Sequence, residues 1–158
     1  MLPQKMEDAL NEQINREISS AYLYSSMESW FASKSLDGFA KWMNSQVKEE
    51  LNHSRKIFDY IIQRNGNVKF FDIESPKCEW TTHKEIFEKT LEHEKYITSQ
   101  ISNLYSIAKD ENDVATQVFL QWFISEQVEE ENSVKKILDK INLTECSCDS
   151  IYHLDSNL

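Results

Sequence analysis

Four carboxylates in this 158-residue chain stand where apolar side chains are expected. On a wheel of about 100° per residue, Glu17 falls at the middle of the face made by Leu10, Ile14, Ala21 and Tyr24. Glu50 does the same among Phe39, Met43, Val47, Ser54, Ile57 and Ile61. Glu94 is centred among Phe87, Thr90, Ile101 and Tyr105, and Glu130 among Phe119, Phe123, Val134, Ile137 and Ile141. Burying an unpaired carboxylate costs several kcal/mol, so four of them turned into one core need compensation from protons or from a metal. Lys and Arg are missing from these stripes near the acids.

His53 follows Glu50 by one turn, about 60° away on the wheel, and this E-x-x-H spacing lets both side chains meet one metal. Glu17 to Glu50 spans 33 residues and so does Glu94 to Gln127, so the two halves of the chain echo each other. The first half reads Glu, then E-x-x-H; the second reads Glu, then Q-x-x-E from Gln127 to Glu130. One Glu from each of two helices, with E-x-x-H motifs on the other two, is the ligand pattern of di-iron carboxylate bundles. The altered second motif predicts two unequal metal positions. Oxygen-rich ligation with one imidazole suits iron or manganese better than copper and is unlike a thiolate zinc site.

The elements that must carry these residues are legible because the chain has only two Gly and two Pro. Helix A is expected over about 4–35, helix B over about 38–65 after Gly38, and helix C over about 82–109 behind a Thr82/Glu85 capping box. Helix D is expected over about 113–141 and a short helix E over about 149–157, with Gly66 as the C-terminal cap of helix B. Short A–B and C–D links require antiparallel pairs. The B–C link of about 16 residues reaches roughly 50 Å when extended, enough to return along a helix B of roughly 40 Å. The expectation is an all-α four-helix bundle with one long B–C crossover and a short fifth C-terminal helix. One domain over 1–158 follows from length, since such a chain buries roughly 70% of its unfolded surface around one core.

With 17 Lys and Arg against 27 Asp and Glu, the net charge of −10 argues against nucleic-acid and anionic-membrane partners and favours cations. No apolar run approaches the roughly 20 residues of a membrane span, and "MLPQKMEDALNEQ" lacks a signal-peptide core, so a cytoplasmic location is expected. Cys78, Cys146 and Cys148 have no C-x-x-C spacing and read as reduced thiols.

Over about residues 1–155 the chain resembles the bacterial non-haem ferritins, on "LNEQINREISSAYLY", "EELNH", "FDYI", "ESP" and "FLQWFISEQVEEE". The resemblance implies a homo-oligomeric hollow cage of about 24 subunits. It implies a first iron bound by Glu17, Glu50 and His53, and a second by Glu50, Glu94 and Glu130, with Glu50 bridging and Gln127 beside them. A third iron position would use Glu49, Glu126, Glu129 and Glu130, and Tyr24 would hydrogen-bond near the pair and give up an electron. Fe(II) would be oxidised by O2 or H2O2 and stored as ferric oxyhydroxide.

Departures refine that picture. Leu51 stands where bacterioferritins carry a haem-ligating methionine, so no haem is expected. Gln117 and Leu120 replace the two acids that line the threefold pore of animal ferritins. Trp122 reads as core packing, Glu131 as solvated surface, and His83 and His93 as surface residues. The rival reading is a dimeric di-iron oxidase or peroxidase of rubrerythrin type, without storage.

Overall fold

A computed structural model describes residues 1–144 and 148–158. Its helices are α1 (Gln4–Ser33), α2 (Asp37–Gln63), α3 (His83–Asp110), α4 (Val114–Thr144) and α5 (Cys148–Ser156). Cys146 lies outside the described residues, and Cys78 is a free, exposed thiol. Among the described residues no helix is long and apolar enough to cross a membrane.

The helix boundaries depart from the glycine-based reading for packing reasons. α1 stops at Ser33, and Ser35, not Gly38, takes the left-handed turn at φ 57°. Gly38 instead lies in the first turn of α2, where an added Cβ would come within 1.8 Å of the Asp155 carbonyl oxygen. That close approach docks α5 on the start of α2. The N-cap Leu36 has no capping side chain, and Asp155 Oδ1 supplies the missing acceptor for Phe39 N–H at 2.8 Å. At the other end of α2 the left-handed residue is Asn65 (φ 56°), while Gly66 packs against Glu7 and Ile61. Thr82 Oγ1 accepts Glu85 N–H at 3.0 Å, as the capping box requires, but Glu85 reaches back to Thr81 N–H at 2.8 Å rather than to Thr82.

The crossover runs back along α1. Asn11 donates to Asn67 O at 2.9 Å and accepts from Lys69 N–H at 2.7 Å, and farther on Ser26 Oγ donates to Lys77 O at 2.7 Å. These bonds satisfy crossover backbone groups that have no ladder of their own.

Apolar packing forms two clusters rather than one. The first gathers Tyr24, Met27, Phe31, Phe39, Phe87 and Ile141, and the second gathers Leu10, Ile14, Ile57, Ile61, Ile101 and Phe123. The buried polar layer of Glu17, Glu50, His53, Glu94, Gln127 and Glu130 belongs to neither. α1 approaches both α2 and α3 closely, whereas among the described residues no Cα of α2 comes within 8 Å of one in α4. Side chains bridge that wider gap, with Tyr60 stacked on Phe119 at 3.9 Å and Arg64 paired with Asp113 at 3.0 Å.

Candidate metal centre

Each acid reaches the layer because its helix turns an apolar stripe inward and the acid sits mid-stripe. Glu17, Glu50, Glu94 and Glu130 are all buried, as are His53 and Gln127. One ligand atom from each of Glu17, Glu50 and His53 lies within 4.8 Å of the others, and a second such group joins His53, Glu126 and Glu130. His53 is thus common to both groups. Its Nδ1 is 3.3 Å from Glu50 Oε2, and its Nε2 is 3.9 Å from Glu126 Oε1.

Glu94 is held differently. Tyr24, fully buried, donates its hydroxyl to Glu94 Oε1, and Gln127 Nε2 donates to Glu94 Oε2 at 3.0 Å. With both oxygens engaged by donors, Glu94 stays outside the two compact groups, and Glu130 gathers with His53 and Glu126 instead of with Glu50 and Glu94. Glu17 is the opposite case: Oε1 accepts from Gln13 at 2.8 Å, but Oε2 is buried without a partner. An orphaned buried oxygen of this kind fits a site completed by a cation.

Electrostatics carry the same message. Burial, then the facing charge of Glu50, pushes the Glu17 carboxyl well above the usual range, and burial with the Glu94 charge does so for Glu50. Glu94 is raised by burial, although its Tyr24 and Gln127 bonds oppose this. Burial, with Glu94 and Glu49, pushes Glu130 up to about 9. Burial and mutual repulsion thus bias all four acids toward their protonated forms, a bias that a multivalent cation among them would oppose.

Beside the layer a cleft of about 240 Å³ is lined by Trp42, Gln46, Glu49, Glu126, Glu129 and Glu130. Glu49 and Glu126 are half-buried and Glu129 is exposed. Gln46, not singled out in the sequence, donates to Glu49 Oε2 at 2.6 Å and leaves its own buried Oε1 unpartnered.

Four surroundings differ from expectation. Trp122 is 39% exposed, with its ring edge-on to His53 at 5.5 Å and under the Lys56 ammonium at 3.7 Å, so it walls the site rather than filling the core. His93 is half-buried against Tyr24, its Nε2 2.7 Å from Ser20 Oγ, and burial lowers its pKa to about 4. Glu131 is half-buried and accepts from Thr98 Oγ1 at 2.6 Å. Leu120, which the resemblance set at a pore-lining position, is fully buried within the chain. Turn spacing from a ligand (Gln13 to Glu17, Gln46 to Glu49, Glu94 to Thr98) is the signal that could have marked these supporting residues.

Comparison with known proteins shows the family and the fold. The family model for a ferritin-like domain matches residues 7–144. A bacterial non-heme ferritin of Bacteroides fragilis is 40% identical over 158 residues, covering 100% of this chain and 98% of that protein. Its counterpart in Escherichia coli is 36% identical, covering 100% and 96%. Among solved structures, a novel open pore ferritin from the hyperthermophilic archaeon Archaeoglobus fulgidus matches with a TM-score of 0.97 and 44% identity, over 99% of this chain and 97% of that one.

Proposed function

The chain belongs to the ferritin family, and on that premise we propose that it stores iron by oxidising Fe(II) at the buried carboxylate layer and depositing the Fe(III) as oxyhydroxide inside a homo-oligomeric cage of about 24 subunits. The observation that carries this reading is the pair of ligand groups, the fully buried Glu17–Glu50–His53 and the adjoining His53–Glu126–Glu130 with its half-buried Glu126, the ligand atoms of each group lying within 4.8 Å of one another.

Glu17, Glu50 and His53 hold one Fe(II), and Glu50, Glu94 and Glu130 a second, with Glu50 between them and Gln127 orienting Glu94. Each Fe(II) yields one electron, so a pair supplies the two electrons that, with two protons, take O2 to H2O2 or H2O2 to two waters. Carboxylate oxygens favour Fe(III) over Fe(II), which is the ligand set's contribution to the driving force. Where a third Fe(II) is oxidised with the pair, Tyr24, hydrogen-bonded to Glu94, would supply the last of the four electrons that, with four protons, take O2 to two waters, its own proton passing to that carboxylate. Glu49, Glu126, Glu129 and Glu130 offer a third, more open position that takes iron onward from the pair. We infer a cytoplasmic protein without haem, Leu51 being an exposed aliphatic side chain.

Assembly is supported by apolar groups that one chain leaves in water: Phe70, Val114, Val118, Val128 and Leu143 are all exposed. Light scattering before and after aerobic Fe(II) loading tests the whole reading. The expected result is a particle of several hundred kDa that retains ferric iron. A dimer of two 18.7 kDa chains that turns Fe(II) over without retaining it would overturn storage in favour of a small di-iron oxidase.

A further inference from the structure

Glu94 and Thr98 are one turn apart on α3, and Gln127 and Glu131 are one turn apart on α4. The four close a box of hydrogen bonds. Gln127 Nε2 donates to Glu94 Oε2 at 3.0 Å and lies 3.3 Å from Glu94 O and 3.4 Å from Thr98 Oγ1. Thr98 Oγ1 has one proton and two acceptors in reach, Glu94 O at 3.0 Å and Glu131 Oε1 at 2.6 Å. The shorter bond, to a carboxylate, is the stronger. A threonine hydroxyl that spends its proton on Glu131 can only accept from Gln127.

This fixes the direction of every bond in the box. An amide side chain can turn over and exchange its N–H2 for its oxygen, and a Gln127 turned that way would set its carbonyl against the Glu94 carboxylate. Acceptors on both sides of Nε2, Glu94 and Thr98, hold the amide the right way round. The last link, Glu131, stands where the box meets solvent, in a cleft of about 510 Å³ that Lys95, Asn132 and Lys135 also line.

We propose that Thr98 and Glu131 are positioning residues for the metal centre, acting through Gln127 to hold the Glu94 carboxylate ready for the second of the paired ions. The inference rests on the iron-binding reading above and adds two residues to it that no ligand motif contains. Neither touches the ion. Their effect is to set the angle and donor count of one carboxylate, so it should appear at the second position and spare the first, where Glu17, Glu50 and His53 lie outside the box.

Anaerobic titration with Co(II), read by its visible d–d absorption, tests this without relying on oxidation. Thr98→Val keeps the shape and removes the hydroxyl, Thr98→Ser keeps the hydroxyl, and Glu131→Ala removes the terminal acceptor at a half-exposed position. The expected result is that Thr98→Val and Glu131→Ala weaken the later of two tight equivalents by about five- to tenfold, the worth of one hydrogen bond, with the first unchanged. Thr98→Ser should titrate like the parent. A Thr98→Val protein that melts and titrates like the parent overturns the inference, and so does a Thr98→Ser protein as weak as Thr98→Val. A parent that takes up no Co(II) overturns the iron-binding reading, and this inference with it.

Discussion

The Tyr24 hydroxyl on α1 donates to Glu94 Oε1 on α3, joining residues 70 positions apart in the chain and tying the two helix hairpins together through the buried carboxylate layer. Burial, then the charges of Glu94 and Glu50, pushes the Tyr24 hydroxyl well above its ordinary range, so it keeps its proton at neutral pH. One bond therefore serves both packing and chemistry, and Tyr24→Phe separates the two. Denaturant unfolding of the metal-free variant should show a loss of about 1–2 kcal/mol, the cost of leaving a buried carboxylate oxygen without its donor. Stopped-flow oxidation of Fe(II) should slow several-fold while iron stoichiometry is unchanged; parent-like kinetics would remove Tyr24 from the mechanism.

His53 stands in both ligand groups and Glu50 in the fully buried one, where the proposed function sets it between the two irons, so His53→Ala and Glu50→Ala are each expected to abolish fast oxidation. Oxygen consumption after Fe(II) addition should fall to the rate of Fe(II) in buffer under air. If either variant matched the parent, the assignment of the centre would be wrong.

The open position should be separable from the buried pair. Glu49→Ala and Glu129→Ala should reduce the Fe(II) oxidised per chain in the first fast phase by about one equivalent, from three toward two, with its rate little changed. Glu126→Ala should disturb both rate and stoichiometry, because Glu126 lines the open cleft and also lies 3.9 Å from His53 Nε2.

Stability should depend on pH in an unusual direction. Burial beside Glu94 and Glu49 lets Glu130 keep its proton to about 9 when folded, against 4.5 for an ordinary glutamate. Between those two values the unfolded chain binds fewer protons than the native one, so the metal-free protein loses stability as pH rises through that window. Glu17, Glu50 and Glu94 are shifted the same way and add to the slope. Thermal melts of metal-free protein at pH 5 and pH 8 should show the lower midpoint at pH 8, and added Co(II) should abolish or reverse the difference. A midpoint that rises from pH 5 to pH 8 without metal would contradict the shifts.

Far from the centre, Arg64 closes the end of the wide α2–α4 gap with bonds of 3.0 and 3.2 Å to Asp113 and a further contact of 3.2 Å to Thr116. Arg64→Met should cost about 2 kcal/mol in denaturant unfolding, since Asp113 is left buried with fewer donors. Metal stoichiometry should stay at the parent value.

The helix faces, the burial of Glu17, Glu50, His53, Glu94, Gln127 and Glu130, and the long return of the crossover follow from residue type and spacing. A wheel reports each side chain's direction about its own axis, and for a mid-stripe acid that direction is inward. It does not report how far the facing helix is or how it is rotated. For that reason Glu94 could be placed in the core but not tied to Tyr24 and Gln127, and Glu130 turned toward His53 and Glu126. The same limit explains why Trp122, His93 and Glu131 lie in surroundings other than those their spacing suggests, each being settled by a neighbour on another helix. Gly38 makes the point most sharply. In the linear chain it is a helix breaker, whereas in the folded chain it is the gap through which Asp155, 116 residues beyond Phe39, reaches the start of α2. Residue type and spacing mark which side chains can serve as ligands and which stripes carry them inward; which donor meets which oxygen is settled only by the fold, because those distances are set by helices packed against one another.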